Sequence, residues 1–268
     1  MAAFNFQLHA AGALAPGIAS FGQLREVASG AAPYAHSPLT LAAASMLPAQ
    51  ERRRSSQAVR LVLSCIEQAL QSSPFAPESL RSVFASDEGT GEVCQQMLEA
   101  VATTRQVSPL VFSNSVLNAP SGYFSIAWRN REPATVISLG MESFASGLLC
   151  AVTESVTCKV PVLLVSYDPA IPAPLNEVIT IADSIATAWI INAAPADAPV
   201  LASFKLALHG ADARTGSALP EWMPPNWASL ASARSLAALA LTDGPEDAHC
   251  EMMLGSQMLT LSRTGAPA

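Results

Sequence analysis

The sequence predicts an α/β fold: a mixed, mostly parallel sheet covered by helices. Two observations carry this. Short apolar runs alternate with segments whose apolar residues recur at helical spacing, the pattern of strands joined by crossover helices. Half of the 268 residues are hydrophobic and only 13% are charged, enough for a large core and too apolar for a disordered chain.

In chain order, residues 1–48 read as irregular and rich in Gly, Pro and Ala, apart from Phe4-Asn5-Phe6-Gln7-Leu8, which alternates like an opening strand. Gln50 to Ser72 reads as one helix, with Val59, Val62, Leu63, Ile66 and Leu70 on one face and Pro74 and Pro77 ending it. Arg81 to Ser86 is a buried strand that runs into the turn Asp87-Glu88-Gly89-Thr90-Gly91, followed by a helix with Val93, Met97 and Val101 on its apolar face. Ala134 to Ser138 is the next strand. It turns at Leu139-Gly140-Met141-Glu142 into a helix carrying Phe144, Leu148, Ala151 and Val152. Lys159 to Ser166, Ile185 to Asn192 and Val200 to Leu208 supply further strands, and the last alternates as a half-buried strand should. Residues 210–226 read as a loop, Ala228 to Leu241 as an Ala/Leu helix and Gln257 to Arg263 as a final strand. With no repeat or linker in view, residues 1–268 form a single expected domain.

A net charge of −7 disfavours nucleic acid and anionic membrane surfaces as partners. The one basic cluster, Arg52-Arg53-Arg54, fits a solvated helix segment or an anchor for an acidic partner surface. Five cysteines without a Cys-x-x-Cys pair give neither a disulfide framework nor a zinc site. No segment reads as a secretion signal or a membrane span, so the expected setting is the reduced cytoplasm. No cofactor is expected: Gly89-Thr90-Gly91 lacks the remainder of any dinucleotide or phosphate loop, and Asp87, Glu88 and Asp183 have no metal-ligand spacing. Ser143, at a strand-to-helix turn, is a candidate nucleophile, but the glycines of Gly-x-Ser-x-Gly are missing around it and a plain helix cap explains it. His209 reads as a loop residue, and adjacent His249 and Cys250 point in different directions.

Several segments, in order, resemble the amino-terminal half of the β-ketoacyl synthases, members of the thiolase-fold superfamily. Ser108 to Gly122 (SPLVFSNSVLNAPSG) is similar to the stretch ahead of that family's nucleophile, and Pro133 to Ser138 to the strand leading into it. Ser143 to Leu148, Lys159 to Tyr167 and Ala182 to Ile191 are similar to the following helix and strands. The likeness spans roughly residues 50–210, which leaves 211–268 as an extension without an assigned role.

The resemblance implies a thiolase-like half, truncated relative to a full synthase. In the family a cysteine at the start of the buried helix accepts the acyl chain, because a helix N-terminus favours a thiolate. Here that position falls on Gly140 or, with a one-residue slip, on Met141, so no catalytic residue is expected; Cys150 lies more than two helical turns further on. The histidines that complete the family's chemistry belong to a second half that this sequence lacks. The implied role is that of a silent partner, a chain-length factor like those of bacterial aryl polyene pathways. Such a subunit forms a heterodimer with a full-length β-ketoacyl synthase and shapes its acyl tunnel, with acyl carrier protein as a further partner. Phe112, Asn114, Val116, Leu117, Asn118, Tyr123, Met141 and Phe144 are the residues expected at that interface or tunnel. Two alternatives stand beside it: a stand-alone acyl-thioester hydrolase or transferase using Ser143, and a homodimeric scaffold that binds carrier protein.

Overall fold

The computed structural model describes residues 2–210 and 216–265. Eight strands make one sheet: β1 (Ala2–Leu14), β2 (Arg81–Ala85), β3 (Ala134–Ile137), β4 (Val162–Asp168), β5 (Ile185–Asn192), β6 (Ala202–Gly210), β7 (His249–Leu254) and β8 (Gln257–Thr264). Their order across the sheet is β3-β2-β4-β5-β1-β6-β8-β7. The helices are α1 (Phe21–Ala28), α2 (Ala49–Arg54), α3 (Gln57–Gln71), α4 (Gly91–Thr103), α5 (Pro109–Ser113), α6 (Ala119–Trp128), α7 (Ser143–Cys158) and α8 (Ala231–Leu239).

The α/β class and the helix-covered sheet stand as expected, but the balance of pairing differs from a mostly parallel sheet. Only β2–β3 and β2–β4 are parallel; the other five ladders are antiparallel. The physical reason is connectivity. A parallel neighbour needs a crossover, and α4–α6 carry the chain from β2 to β3 while α7 returns it to β4 on the other side of β2. After β4 each strand is laid against its sheet neighbour in the opposite direction, and α8 joins β6 to β7, which β8 separates. The last strands, β6 to β8, continue the same sheet beyond β1, which gives the segment after residue 210 a structural place.

Two apolar layers sandwich the sheet. On one face Val83, Leu164, Trp189 and Phe204 pack against Phe144 and Leu148 of α7 and Leu236 of α8. On the other, Phe84, Leu163, Val165 and Ile190 pack under Leu63 and Ile66 of α3 and Phe124 of α6. Strand β1 serves both layers through a bulge between Leu8 and Ala10, which shifts the register so that Phe6, Leu8, Ala11 and Ala13 all face α7 and α8. Its second half is built of small residues because α3 lies close above it. A Cβ on Gly12 would stand 2.2 Å from the Cys65 carbonyl oxygen.

The single helix expected over Gln50 to Ser72 is two. Ser55 and Ser56 adopt extended backbone, and the Ser56 hydroxyl accepts from Val59 N–H at 3.3 Å to start α3. The hydroxyl competes for backbone donors better than a mid-helix residue would. His209, expected in a loop, pairs with Met258 inside the β6–β8 ladder. Among the described residues no helix is long and apolar enough to cross a membrane, and no cluster of His, Cys, Asp or Glu is arranged to hold a metal.

Candidate functional site at the β3–α7 turn and the β3 edge

β2, β3 and β4 are parallel, so their carboxyl ends meet at one rim, where ligand sites of such sheets form. The rim is tied together by hydrogen bonds. Asp168, at the end of β4, accepts from Ser86 Oγ (3.2 Å) and Asp87 N–H (2.8 Å) with one oxygen, and from Ser232 N–H (2.9 Å) at the start of α8 with the other. The carboxylate is fully buried, and that burial lifts its pKa to about 6, against the opposing pull of the donors from Ser232 and Asp87. Burial also raises the carboxyls of Asp87 and Glu88 above their ordinary range. Ser138 Oγ donates to the Asp87 carbonyl at 2.7 Å and joins the ends of β3 and β2.

The turn from β3 into α7 carries neither thiol nor imidazole. Gly140 sits at φ +58, a left-handed conformation that a side chain adopts only under strain. Space for one exists: a Cβ there would meet nothing nearer than Asp87 Oδ1 at 3.9 Å. Met141 follows with its side chain partly exposed. Ser143 is completely buried. Its hydroxyl accepts from Leu139 N–H at 2.8 Å and reaches the Gly140 carbonyl at 2.7 Å and the Ser86 carbonyl at 3.2 Å. It braces the turn, and a hydroxyl so enclosed offers no nucleophile to a thioester. Nor do the nearby thiols: burial pushes Cys150 up and Cys250 up to about 12, the reverse of activation.

The residues expected at an interface divide. Phe112 and Val116 project into solvent, 64% and 49% exposed, and Asn118 is exposed beside them. Leu117 and Tyr123 are half-buried, and the Leu117 carbonyl accepts from Tyr167 Oη at 3.4 Å. Asn114 and Phe144 instead lie inside the chain. Asn114 Nδ2 donates to the Arg54 carbonyl at 2.9 Å and holds α5 to α2. Phe144 packs against Trp189 with ring centroids 5.9 Å apart. Asn114 is buried because it caps the end of α5 against α2, and Phe144 because it opens the face of α7 that docks on the sheet.

Sequence reasoning missed the width of the exposed apolar surface. Eight of the eleven exposed large hydrophobic residues fall between 98 and 141: Leu98, Val101, Leu110, Phe112, Val116, Ile126, Leu139 and Met141. Val101, expected on the buried face of its helix, is 55% exposed. The signal was present in α4 and α6, whose apolar residues outnumber those a single packed face can use. Residues 98–141 include β3 itself, an edge strand with a single partner in the sheet. Pro133 and Ile137 carbonyls accept from Ser82 and Ser86 N–H on the β2 side, so by alternation the backbone groups of Ala134 and Val136 point away from the sheet.

Residues 27–241 match the family model for the beta-ketoacyl synthase N-terminal domain. No curated protein matches the sequence. Solved structures of the same fold include one chain of the ketosynthase ApeO in complex with its chain length factor ApeC from Xenorhabdus doucetiae, at 22% identity and TM-score 0.69, covering 97% of this chain and 100% of that one. A chain of the ishigamide ketosynthase/chain length factor aligns at 14% identity and TM-score 0.71, with 97% and 100% covered. A chain of a type II PKS acyl-carrier protein in complex with its ketosynthase bound to the hexaketide aligns at 10% identity and TM-score 0.76, with 98% and 100% covered. The strand order, the turn at Gly140 and the helix behind it are thus set in a known frame, and the chain belongs to the beta-ketoacyl synthase N-terminal domain family.

Proposed function

We propose that this chain is a catalytically silent, chain-length-factor-like subunit that pairs with a full-length β-ketoacyl synthase and helps shape its acyl tunnel. Two observations carry the reading: the open edge of β3, and eight exposed apolar side chains on the stretch from Leu98 to Met141 that contains it. A surface of that kind on one side of a molecule marks an interaction site, and unpaired strand groups invite a second strand. Solved complexes of ketosynthases with chain length factors share the fold and support the choice of partner. The silence follows from Gly140: no side chain stands at the turn where the family keeps its thiol, and Met141, the other position, is no nucleophile. Phe112, Val116 and Leu117 would line or close the partner's tunnel, with Asn118, Tyr123 and Met141 around them. Asn114 and Phe144 would act from beneath, by fixing α5 and α7.

Acyl carrier protein is the second partner in this reading, with Arg52, Arg53 and Arg54 of α2 available to an acidic surface. The pathway would be polyene or fatty-acid-type biosynthesis in the cytoplasm. The test is coexpression with the ketosynthase encoded nearby. The two chains should copurify, and Val116→Trp or Leu117→Trp should shorten the products of the pair while leaving the complex intact. A chain that never copurifies, or products of unchanged length from an intact variant complex, would count against it.

A further inference from the structure

A cavity of about 220 Å³ opens beside the β3–α7 turn, on the face of the sheet that carries α7 and α8. Three of its lining residues are methionines, Met141 from the turn and Met252 and Met253 from β7, and Phe144 of α7 joins them. β7 lies beyond the 27–241 segment that defines the family, so the chamber exists only where the later hairpin closes over the family domain. Two charged residues complete it, Arg234 of α8 and Glu142. They are engaged differently. Glu142 is turned to the hairpin, where Oε2 accepts from Gly255 N–H at 2.9 Å. Arg234 uses Nη1 on the Ser217 carbonyl at 2.9 Å, and among the described residues no carboxylate pairs with its guanidinium.

The chemistry of the wall selects a ligand. Methionine side chains are flexible and polarisable and adapt to apolar chains of varied shape. A half-buried guanidinium has five donors to satisfy and favours a carboxylate. An apolar cavity of about 150 Å³ accepts benzene, so 220 Å³ suits roughly nine or ten heavy atoms by the same ratio. We propose that this cavity binds a short aliphatic carboxylate, with the carboxylate on Arg234 and the chain lying over Met141, Met252, Met253 and Phe144. The site stands on this chain alone and does not depend on the partner-subunit reading.

The probe is octanoate, titrated into the full-length chain carrying ¹³C-methyl methionine. If the protein purifies only as a complex, the label is placed on this chain alone. The signals of Met141, Met252 and Met253 should move together and saturate, while those of Met46 and Met97 stay in place. Arg234→Gln should weaken octanoate by about tenfold or more, the loss expected of a charge-assisted hydrogen bond, and leave binding of octanol unchanged. Met253→Trp should block both, with Met141→Trp, at a partly exposed site, serving if the first variant does not fold. Octanoate that moves none of the three methionines at millimolar concentration overturns the proposal. So does an affinity for octanoate that Arg234→Gln leaves as it was.

Discussion

Asp168 shows how one buried side chain can set the pH response of a fold. Its pKa of about 6 lies above the 3.8 of an exposed aspartate, so the folded chain holds the proton more tightly than the unfolded one. The stabilising contribution is therefore complete below about pH 4 and is lost as pH rises through about 6. By the usual conversion this amounts to about 3 kcal/mol across that window. Asp168→Asn removes the titration while keeping an acceptor for one of the two amides. Urea unfolding between pH 4 and pH 7 should show the parent losing stability relative to the variant as pH rises. A constant difference between the two over that range would contradict this account. Gly140 is the other instructive residue: it holds the turn at φ +58, a left-handed conformation that glycine adopts without strain.

At the scale of elements, the strands were the legible part. Arg81 to Ser86, Ala134 to Ser138 and Ile185 to Asn192 announce themselves because branched and aromatic residues crowd into short runs, and each forms a strand within a residue of the expected ends. The second half of β1 gave no such sign. Ala10 to Ala13 is small and featureless for a tertiary reason, the closeness of α3, which local pattern does not encode. α5 and α6 were missed although Pro109 and Pro120 stand in their first turns, a readable start signal. β7 was missed although Gly255-Ser256, with Gly255 at φ +59, is the two-residue turn of a hairpin. The family turn was legible from motif order and the packed face of α7 from the spacing of Phe144, Leu148, Ala151 and Val152, whereas the burial of Asn114 required the packing. The edge of β3 carries its own prediction. Val136 directs its backbone away from β2, so Val136→Pro spares the existing ladder and removes a donor from the open edge. Far-UV circular dichroism of the variant should match the parent while recovery of the ketosynthase in a pull-down falls.

Across the whole molecule the two rims of the sheet differ. β7 helps to close a cavity within the chain, whereas β3 leaves its outer edge unpaired among the described residues. Exposed side chains contribute little to a chain's own stability, within about 0.5 kcal/mol on substitution, whereas an apolar anchor at the centre of an interface is worth about 2 kcal/mol or more. Phe112→Asp should therefore leave the melting temperature nearly unchanged and weaken association with the partner by about thirtyfold. Surface plasmon resonance and a thermal melt on the same preparations would separate the two effects. Equal losses in both would return Phe112 to the core.

The bare edge of β3 also bears on how the protein is made. Under the proposed pairing, a newly synthesised copy without its partner displays an open strand edge together with the exposed Leu98, Phe112, Val116 and Ile126, groups of the kind that nucleate self-association. Supply of the two chains then has to be matched in time and number. On that proposal surplus copies would become substrates for chaperones and proteases, and the abundance of this protein would follow that of its proposed partner.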